Sequence, residues 1–254
     1  ALVGFVSTWK TTSNNETITL PTTIFNYEID WGDGTITNNT NFHEYATAGT
    51  YVITMPENVT NYTFNFAGDN TKILSVENWG GFILQGAIFG GCSNLTNITA
   101  TDNPLLGVSV FRTFRGCTSL VQINGINNWN FSTVTNMQEA FRQTAFNDLM
   151  GDIDISNVTS LNATFQDQKT INQDISVWDY SSVTNMVNFM NGKGSEYNPL
   201  FMDNLYIKLD QDLVFANMVF PNISFGTINY TSAGAAARAS LVSKGFIITS
   251  GGEI

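Results

Sequence analysis

The sequence predicts a mainly β protein with three parts: a small β-sandwich over residues 1–66, a short solenoid over 67–200, and a final rung with a helix-and-strand cap over 201–254. Short runs that alternate between apolar and polar residues, separated by turn residues, indicate the sandwich. A phrase of about 25 residues that recurs along the middle of the chain indicates the solenoid. An alanine-rich segment between capping residues indicates the final helix.

The predicted sandwich rests on three strand-like runs, Glu16–Leu20, Phe25–Trp31 and Tyr51–Met55. Glycine supplies the positive φ that tight turns need, so we expect Gly32 or Gly34 to occupy such a turn. Trp31 precedes this turn at the end of a strand and is predicted to lie in the core.

The repeat phrase is nearly intact in two places, 129–137 (Trp-Asn-Phe-Ser-Thr-Val-Thr-Asn-Met) and 178–186 (Trp-Asp-Tyr-Ser-Ser-Val-Thr-Asn-Met). An apolar residue closes each unit, and these closing positions are spaced 24 to 27 residues apart at Phe89, Phe114, Phe141, Phe165 and Met190. A fixed period in this range predicts units that stack on their neighbours. The predicted repeat core therefore comprises Phe89, Phe114, Val134, Phe141, Val158, Phe165 and Val183.

The last part of the chain carries start and stop signals for a helix. Thr231 or Ser232 can cap a helix over Ala233–Lys244, and Gly245 can end it. The apolar run Phe246–Ile248 is predicted to form a short closing strand. Such a cap covers the apolar face that the last rung of a solenoid would otherwise expose.

Composition excludes some partners. The 254 residues carry a net charge of −11, and only 12% of them are charged. The ten Lys and Arg residues look scattered along the sequence. Binding to nucleic acid needs a basic footprint, so we expect no nucleic-acid partner. No apolar run approaches the length that crosses a bilayer, so we expect no membrane insertion.

Two segments carry a family resemblance. Trp31-Gly32-Asp33-Gly34, with His43-Glu44-Tyr45 and Gly49-Thr50-Tyr51 after it, is similar to the PKD domain, an immunoglobulin-like extracellular module. The repeat phrases, including Ile171–Trp178 and Phe114–Leu120, resemble the BspA-like leucine-rich-repeat surface proteins. The first repeats depart from that pattern because they lack Val-Thr-Asn-Met. The resemblance implies an adhesive or binding protein at a bacterial surface, and related repeats occur in bacteriophage proteins.

Catalytic and cofactor sites are not expected. His43 is the only histidine, which leaves neither a catalytic triad nor a zinc site. Asp30, Asp33 and Glu44 are the candidate calcium ligands, although aspartates in tight turns commonly cap their own backbone. Metal is therefore not expected to be needed for folding.

The cysteines and tryptophans each leave two alternatives open. Cys92 and Cys117 occupy equivalent places in adjacent units, where they can form a disulfide or remain as two buried thiols. Trp79, Trp129 and Trp178 recur every second unit. They can form an exposed ladder that binds sugar, or plugs between the rungs.

We therefore predict a non-enzymatic extracellular recognition protein that binds a host-cell protein or a glycan. It would be a bacterial adhesin or a bacteriophage fibre, spike or decoration subunit. The alternative is a structural subunit of a virion or surface filament whose main partners are neighbouring subunits of its own assembly. In that case the chain can form homo-oligomers. Binding is expected to map to the repeats and to survive deletion of residues 1–66. The candidate binding face is Thr135, Asn136, Thr184 and Asn185, unless the asparagines instead satisfy backbone groups in the turns.

Overall fold

The computed structural model of the protein describes residues 4–22, 28–57 and 59–254. This part of the chain is mainly β, with two α-helices near its C-terminal end. The strands are β1 (Phe5–Lys10), β2 (Glu16–Thr19), β3 (Glu28–Asp30), β4 (Ile36–Asn38), β5 (Phe42–Tyr45), β6 (Thr50–Met55), β7 (Ile73–Asn78), β8 (Ile83–Leu84), β9 (Asn97–Ile98), β10 (Leu105–Leu106), β11 (Gln122–Ile123), β12 (Asn222–Ser224) and β13 (Ile247–Thr249). The helices are α1 (Pro199–Asp212) and α2 (Ser232–Ser243).

The largest sheet has seven strands in the order β11-β9-β7-β1-β6-β3-β4. Strand β1 lies in its middle and pairs antiparallel with both β6 and β7. The repeats extend the sheet on the other side of β7, where β7, β9 and β11 run parallel. The sheet thus crosses residue 66, and buried residues from both sides of that position join one hydrophobic core.

The N-terminal strands follow the predicted pattern where the structure describes them. Strands β2 and β6 coincide with two predicted runs, and β3 covers part of the third, whose residues 25–27 lie outside the described residues. Trp31 is fully buried. The turn after it holds Gly32 at a φ of 78° and Gly34 at 93°, so both glycines adopt the backbone conformation that favours this residue.

Consecutive repeats are joined by parallel backbone hydrogen bonds at their closing residues. The closing N–H donates to the carbonyl just before the next closing residue: Phe89 to Thr113 (2.9 Å), Phe114 to Ala140 (2.9 Å), Phe141 to Thr164 (3.1 Å), Phe165 to Phe189 (2.9 Å) and Met190 to Ser224 (2.9 Å). Phe64 donates to Ile88 in the same way (2.9 Å). The repeat register therefore begins at Phe64, before the predicted boundary.

The side chains of the repeats follow the same register. The rings of Phe89, Phe114, Phe141 and Phe165 form a row, with neighbouring centroids 5.7 to 5.9 Å apart and nearly parallel planes. The seven predicted core residues are all buried. Isolated parallel bridges link the units at Ser109, Asn136, Ser160, Asn185 and Phe220.

Left-handed residues follow each closing position from Phe64 to Met190, and from Phe114 onward they also precede it. Two residues before it, Arg112, Glu139, Ala163 and Asn188 have φ values of 53° to 56°. Two residues after it, Phe66, Gly91, Gly116, Gln143, Asp167 and Gly192 have φ values of 58° to 83°. Side chains at equivalent places are therefore aligned across neighbouring units.

The last part of the chain contains one predicted helix and one that was not predicted. Helix α2 begins after Thr231, whose side chain accepts a hydrogen bond from the Ala233 N–H, and strand β13 follows it one residue later than expected. Helix α1 lengthens the unit between Met190 and Phe225, and Asn198 caps it. None of the helices among the described residues is long and apolar enough to span a bilayer.

Candidate functional site

The predicted binding threonines form a row of hydrogen bonds between units. The hydroxyl of Thr135 donates to the backbone carbonyl of Val108 (3.1 Å). In the same way, the Thr159 hydroxyl donates to the Thr135 carbonyl (3.1 Å) and the Thr184 hydroxyl to the Thr159 carbonyl (3.2 Å). Thr135 and Thr159 are exposed, whereas Thr184 is half-buried. Their hydroxyl protons are used within the repeats, which leaves hydroxyl oxygens and methyl groups for an outside partner.

The predicted binding asparagines are engaged with their own turns. Oδ1 of Asn136 accepts from the Gln138 N–H (2.9 Å), and Oδ1 of Asn185 accepts from the Val187 N–H (3.1 Å). Both residues are half-buried. Each therefore satisfies a backbone donor two residues ahead, as the alternative interpretation of these residues expects.

The three calcium candidates are not assembled into a metal site. Oδ1 of Asp30 accepts from the Gly32 N–H (2.9 Å), and Oδ1 of Asp33 accepts from the Thr35 N–H (2.9 Å). Glu44 is exposed on β5. In the described part of the chain, no group of three or more His, Cys, Asp or Glu side chains is arranged to hold a metal ion. The aspartates act as turn caps.

His43 contributes to the same turn. Its Nε2 lies 2.7 Å from Oδ2 of Asp33, and its ring stacks on Trp31 with centroids 5.3 Å apart. Burial alone would raise the pKa of Asp33, but hydrogen bonds from His43 and Thr35 hold it below its ordinary value. This histidine therefore stabilises the turn.

The cysteines and tryptophans are internal. Cys92 and Cys117 are buried free thiols, and the Cys117 thiol lies 3.1 Å from the Phe89 carbonyl oxygen. Trp79, Trp129 and Trp178 are at most 4% exposed. The tryptophans plug the interior, so the exposed sugar ladder that their spacing allowed is wrong.

Three arginines surround one buried glutamate, and we call Arg112, Arg115, Arg142 and Glu139 the arginine patch. Oε1 of Glu139 accepts from Nε and Nη2 of Arg112, both at 3.0 Å. Oε2 of Glu139 lies 2.7 Å from Nη1 of Arg115 and 3.2 Å from Nη1 of Arg142. The chain has only four arginines, so three of them meet at this one carboxylate.

The repeat register brings these residues together. Arg112 and Glu139 each lie two residues before a closing phenylalanine, and the Arg112 N–H donates to the Gln138 carbonyl (3.0 Å). Arg115 and Arg142 each follow a closing phenylalanine directly. Equivalent positions in parallel neighbours are about 5 Å apart. Stacking therefore brings together side chains that are up to 30 residues apart in sequence.

The electrostatics of the arginine patch keep Glu139 ionised. The Glu139 side chain is 7% exposed, and burial alone would raise its pKa. The hydrogen bond from Arg112 and the charge of Arg115 outweigh burial, so the pKa lies below its ordinary value. The arginine side chains remain 24 to 35% exposed, so they present their charge to solvent.

The arginine patch corrects the expectation that the basic residues are scattered. They are dispersed along the sequence but concentrated in space. The sequence carried a sign of this clustering, because Phe114-Arg115 and Phe141-Arg142 repeat the same dipeptide at equivalent positions. The units differ in length, so the sequence alone did not show that these arginines align in neighbouring units.

The comparisons with known proteins give one match. Residues 108–205 match a family model described as "Mycoplasma protein of unknown function, DUF285". No curated protein and no solved structure matches the chain. The matched segment contains the whole arginine patch and the threonine row.

Proposed function

We propose that the chain is a non-enzymatic extracellular recognition protein that binds a host-cell protein or a glycan through its repeats. The architecture that we propose is a PKD-like, immunoglobulin-like β-sandwich followed by a leucine-rich-repeat-like solenoid. The setting is a bacterial cell surface or a bacteriophage particle. The parallel bonds between consecutive closing residues support the solenoid.

The arginine patch is the observation that carries this proposal. An acidic chain with few cations places three arginines on neighbouring units and holds them with one buried carboxylate. The surplus positive charge favours a surface that recognises a partner.

A binding screen tests the proposal. The labelled chain is applied to a glycan array and to a panel of purified extracellular proteins, and any bound component is recovered for mass spectrometry. We expect saturable binding to a component that is recovered unchanged. Binding to nothing in either panel, or chemical conversion of the bound component, would contradict the proposal.

Two matched substitutions test where binding occurs. Deletion of residues 1–66 would remove β1 from the middle of the large sheet, so point variants are the better choice. Thr135→Arg alters the exposed face of the repeats, and Thr50→Arg is its control at an exposed position at the start of β6. We expect the repeat variant to weaken binding and the control to retain it. The opposite result would move recognition to the N-terminal strands.

A second candidate function, a structural subunit, is favoured by the edge of the last unit. Within the described part of the chain, strand β13 pairs only with β12 in a two-stranded sheet, so its other side is a sheet edge, and Ile247 on it is 60% exposed. Such an edge can pair with a strand from another copy. Light scattering tests this candidate: stable oligomers that Ile247→Lys dissociates would support it, and a monomer at every concentration would exclude it.

A further inference from the structure

We propose that the arginine patch binds an acidic sugar residue, with Arg115 and Arg142 holding its oxyanion and the exposed ring of Phe66 packing against its apolar face. The oxyanion is a carboxylate or a sulfate ester. This inference rests on the proposed recognition function and names the ligand class of one site on the repeats.

The arginine patch has more positive charge and more donors than its own acids can satisfy. Its three guanidinium groups face two carboxylates, those of Glu139 and Asp167, the latter 3.6 Å from Arg142. One positive charge is therefore left over. Three guanidinium groups carry about fifteen N–H donors, whereas two carboxylates offer about eight acceptor sites. An added oxyanion would balance both.

Two of the surplus donors are already removed from solvent. The Nε atoms of Arg115 and Arg142 are buried and have no hydrogen-bond partner within the described residues. Burial without a partner is unfavourable for such a group. Oε2 of Glu139 lies 2.7 Å from Nη1 of Arg115 and 3.2 Å from Nη1 of Arg142, so one carboxylate fixes the orientation of both guanidinium groups. Planar guanidinium groups suit the paired oxygens of a carboxylate or sulfate.

The aromatic ring of Phe66 lies beside these donors, and the backbone of Phe66 is in the left-handed region. Phe66 has a φ of 66°, is 43% exposed, and its ring centroid lies 5.2 Å from Cζ of Arg115. In later units the equivalent position is held by Gly, Gln or Asp. The left-handed turn recurs in every unit, so what is unusual at Phe66 is the bulky side chain that this turn carries.

The next unit leaves room for that ring. A Cβ atom at Gly90 would come within 2.9 Å of Cε2 of Phe66, and one at Gly91 within 3.0 Å of Cδ1. The ring therefore packs directly against the backbone of Gly90 and Gly91, where any side chain would displace it. In this position the ring contacts Arg115 and stays 43% exposed.

This combination favours a sugar over the other anionic ligands. A pyranose that bears one oxyanion has an apolar C–H face for Phe66 and an anionic group for the arginines. A nucleic acid presents a dense row of phosphates, which the net charge of −11 repels outside the arginine patch. A run of aspartates or glutamates supplies carboxylates but no flat apolar face next to them.

Isothermal titration with defined oligosaccharides tests the inference on the full chain. The probes are a glucuronate-containing tetrasaccharide, its carboxyl-reduced neutral counterpart, and that neutral counterpart carrying one sulfate ester as its only charge. We expect at least one acidic probe to bind at least tenfold more tightly than the neutral one. The carboxylate and sulfate arms identify which oxyanion the arginine patch selects. Equal affinity for all three probes, or no binding, would overturn the inference.

Variants assign that binding to named residues. The double variant Arg115→Gln/Arg142→Gln should bind at least tenfold more weakly, and Phe66→Leu several-fold more weakly. Arg238→Gln removes the fourth arginine, on α2, and should leave the affinity unchanged. If the double variant fails to fold, Arg115→Lys/Arg142→Lys keeps the charge but loses the planar fork, and should also weaken binding. Unchanged affinity in the folded arginine variants would overturn the inference.

Two further probes separate the alternatives. A glutamate decapeptide or a single-stranded DNA 12-mer that binds more tightly than both acidic sugars would replace the sugar as the ligand class. If the wild-type chain binds components of the broader screen but neither acidic tetrasaccharide, the ligand class is wrong and the recognition function stands. If it binds nothing in the screen, the recognition function itself is wrong.

Discussion

Truncation of Phe141 to alanine should destabilise the protein strongly, because this ring lies inside the aromatic row. Phe141 is 2% exposed and stacks between Phe114 and Phe165, with centroids 5.9 and 5.8 Å away. The ring of Phe146 packs edge-on against that of Phe141, with centroids 5.1 Å apart. Core Phe→Ala substitutions cost about 3–5 kcal/mol. Aromatic pairs add about 0.5–1.5 kcal/mol each beyond burial.

The neighbouring units cannot close the cavity that this change leaves. The backbone bonds from Phe114 to Ala140 (2.9 Å) and from Phe141 to Thr164 (3.1 Å) fix the spacing on both sides. We therefore expect a loss in the upper part of that range, about 4–5 kcal/mol, since poorly collapsing sites lose most. Urea denaturation followed by circular dichroism measures it.

A surface truncation is the control. Leu149 follows Phe141 by eight residues and is 73% exposed. Leu149→Ala should change the free energy of unfolding by less than about 0.5 kcal/mol. A loss below about 2 kcal/mol for Phe141→Ala, or one similar to the control, would show that the rings do not form a packed row.

Three further predictions concern stability. Val158 is fully buried, so Val158→Asp should cost more than about 4 kcal/mol and an unchanged melting temperature would contradict the register. Asp203 accepts hydrogen bonds from the Thr231 N–H (2.8 Å) and hydroxyl (2.6 Å). Asp203→Asn should therefore lower the free energy of unfolding, measured in urea, by about 1–3 kcal/mol. No loss would mean that this contact does not hold the start of α2. Hydrogen bonds from Thr12 and Lys72 lower the pKa of Glu16 from 4.5 to about 2. The stabilisation that ionised Glu16 gives is thus complete above pH 4.5 and lost as the pH falls towards 2. The melting temperature of Glu16→Gln should therefore fall less steeply below pH 4.5 than that of the wild type. Equal slopes for the two proteins would contradict this.

The sequence predicted those elements whose signals are local. Helix α2 was found because Thr231 and Gly245 mark its ends. The repeats were found because a similar closing residue recurs. Strand β1 was missed because its role depends on pairing with β6 and β7, which are distant in sequence.

Helix α1 carried a signal that the repeat pattern concealed. Asn198-Pro199 is a good helix start, and the buried residues Met202, Leu205, Tyr206 and Leu209 follow helical spacing. Because the segment was interpreted as part of a final rung, its period was not recognised.

The predicted binding residues turned out to have internal partners for a physical reason. Thr135 and Asn136 recur because each unit must bond to the next and close its own turn. Recurrence along the sequence identified structural positions. The arginine patch carried only a short recurrence, Phe114-Arg115 and Phe141-Arg142, and its meaning depends on how neighbouring units align in space.

A double-mutant cycle between Arg112 and Glu139 measures whether neighbouring repeats stack in register and so assemble the arginine patch. The two residues are 27 positions apart in sequence, yet the guanidinium makes two 3.0 Å hydrogen bonds to the buried carboxylate. Arg112→Gln, Glu139→Gln and the double variant are compared by urea denaturation. Lys244 and Asp210, an exposed pair, provide the control cycle.

We predict a coupling energy of about 1–3 kcal/mol for Arg112 and Glu139, and less than about 1 kcal/mol for the exposed control pair. A coupling energy indistinguishable from zero between Arg112 and Glu139, in variants that remain folded, would mean that the two units do not meet as described. In that case the arginine patch would not exist as a single surface.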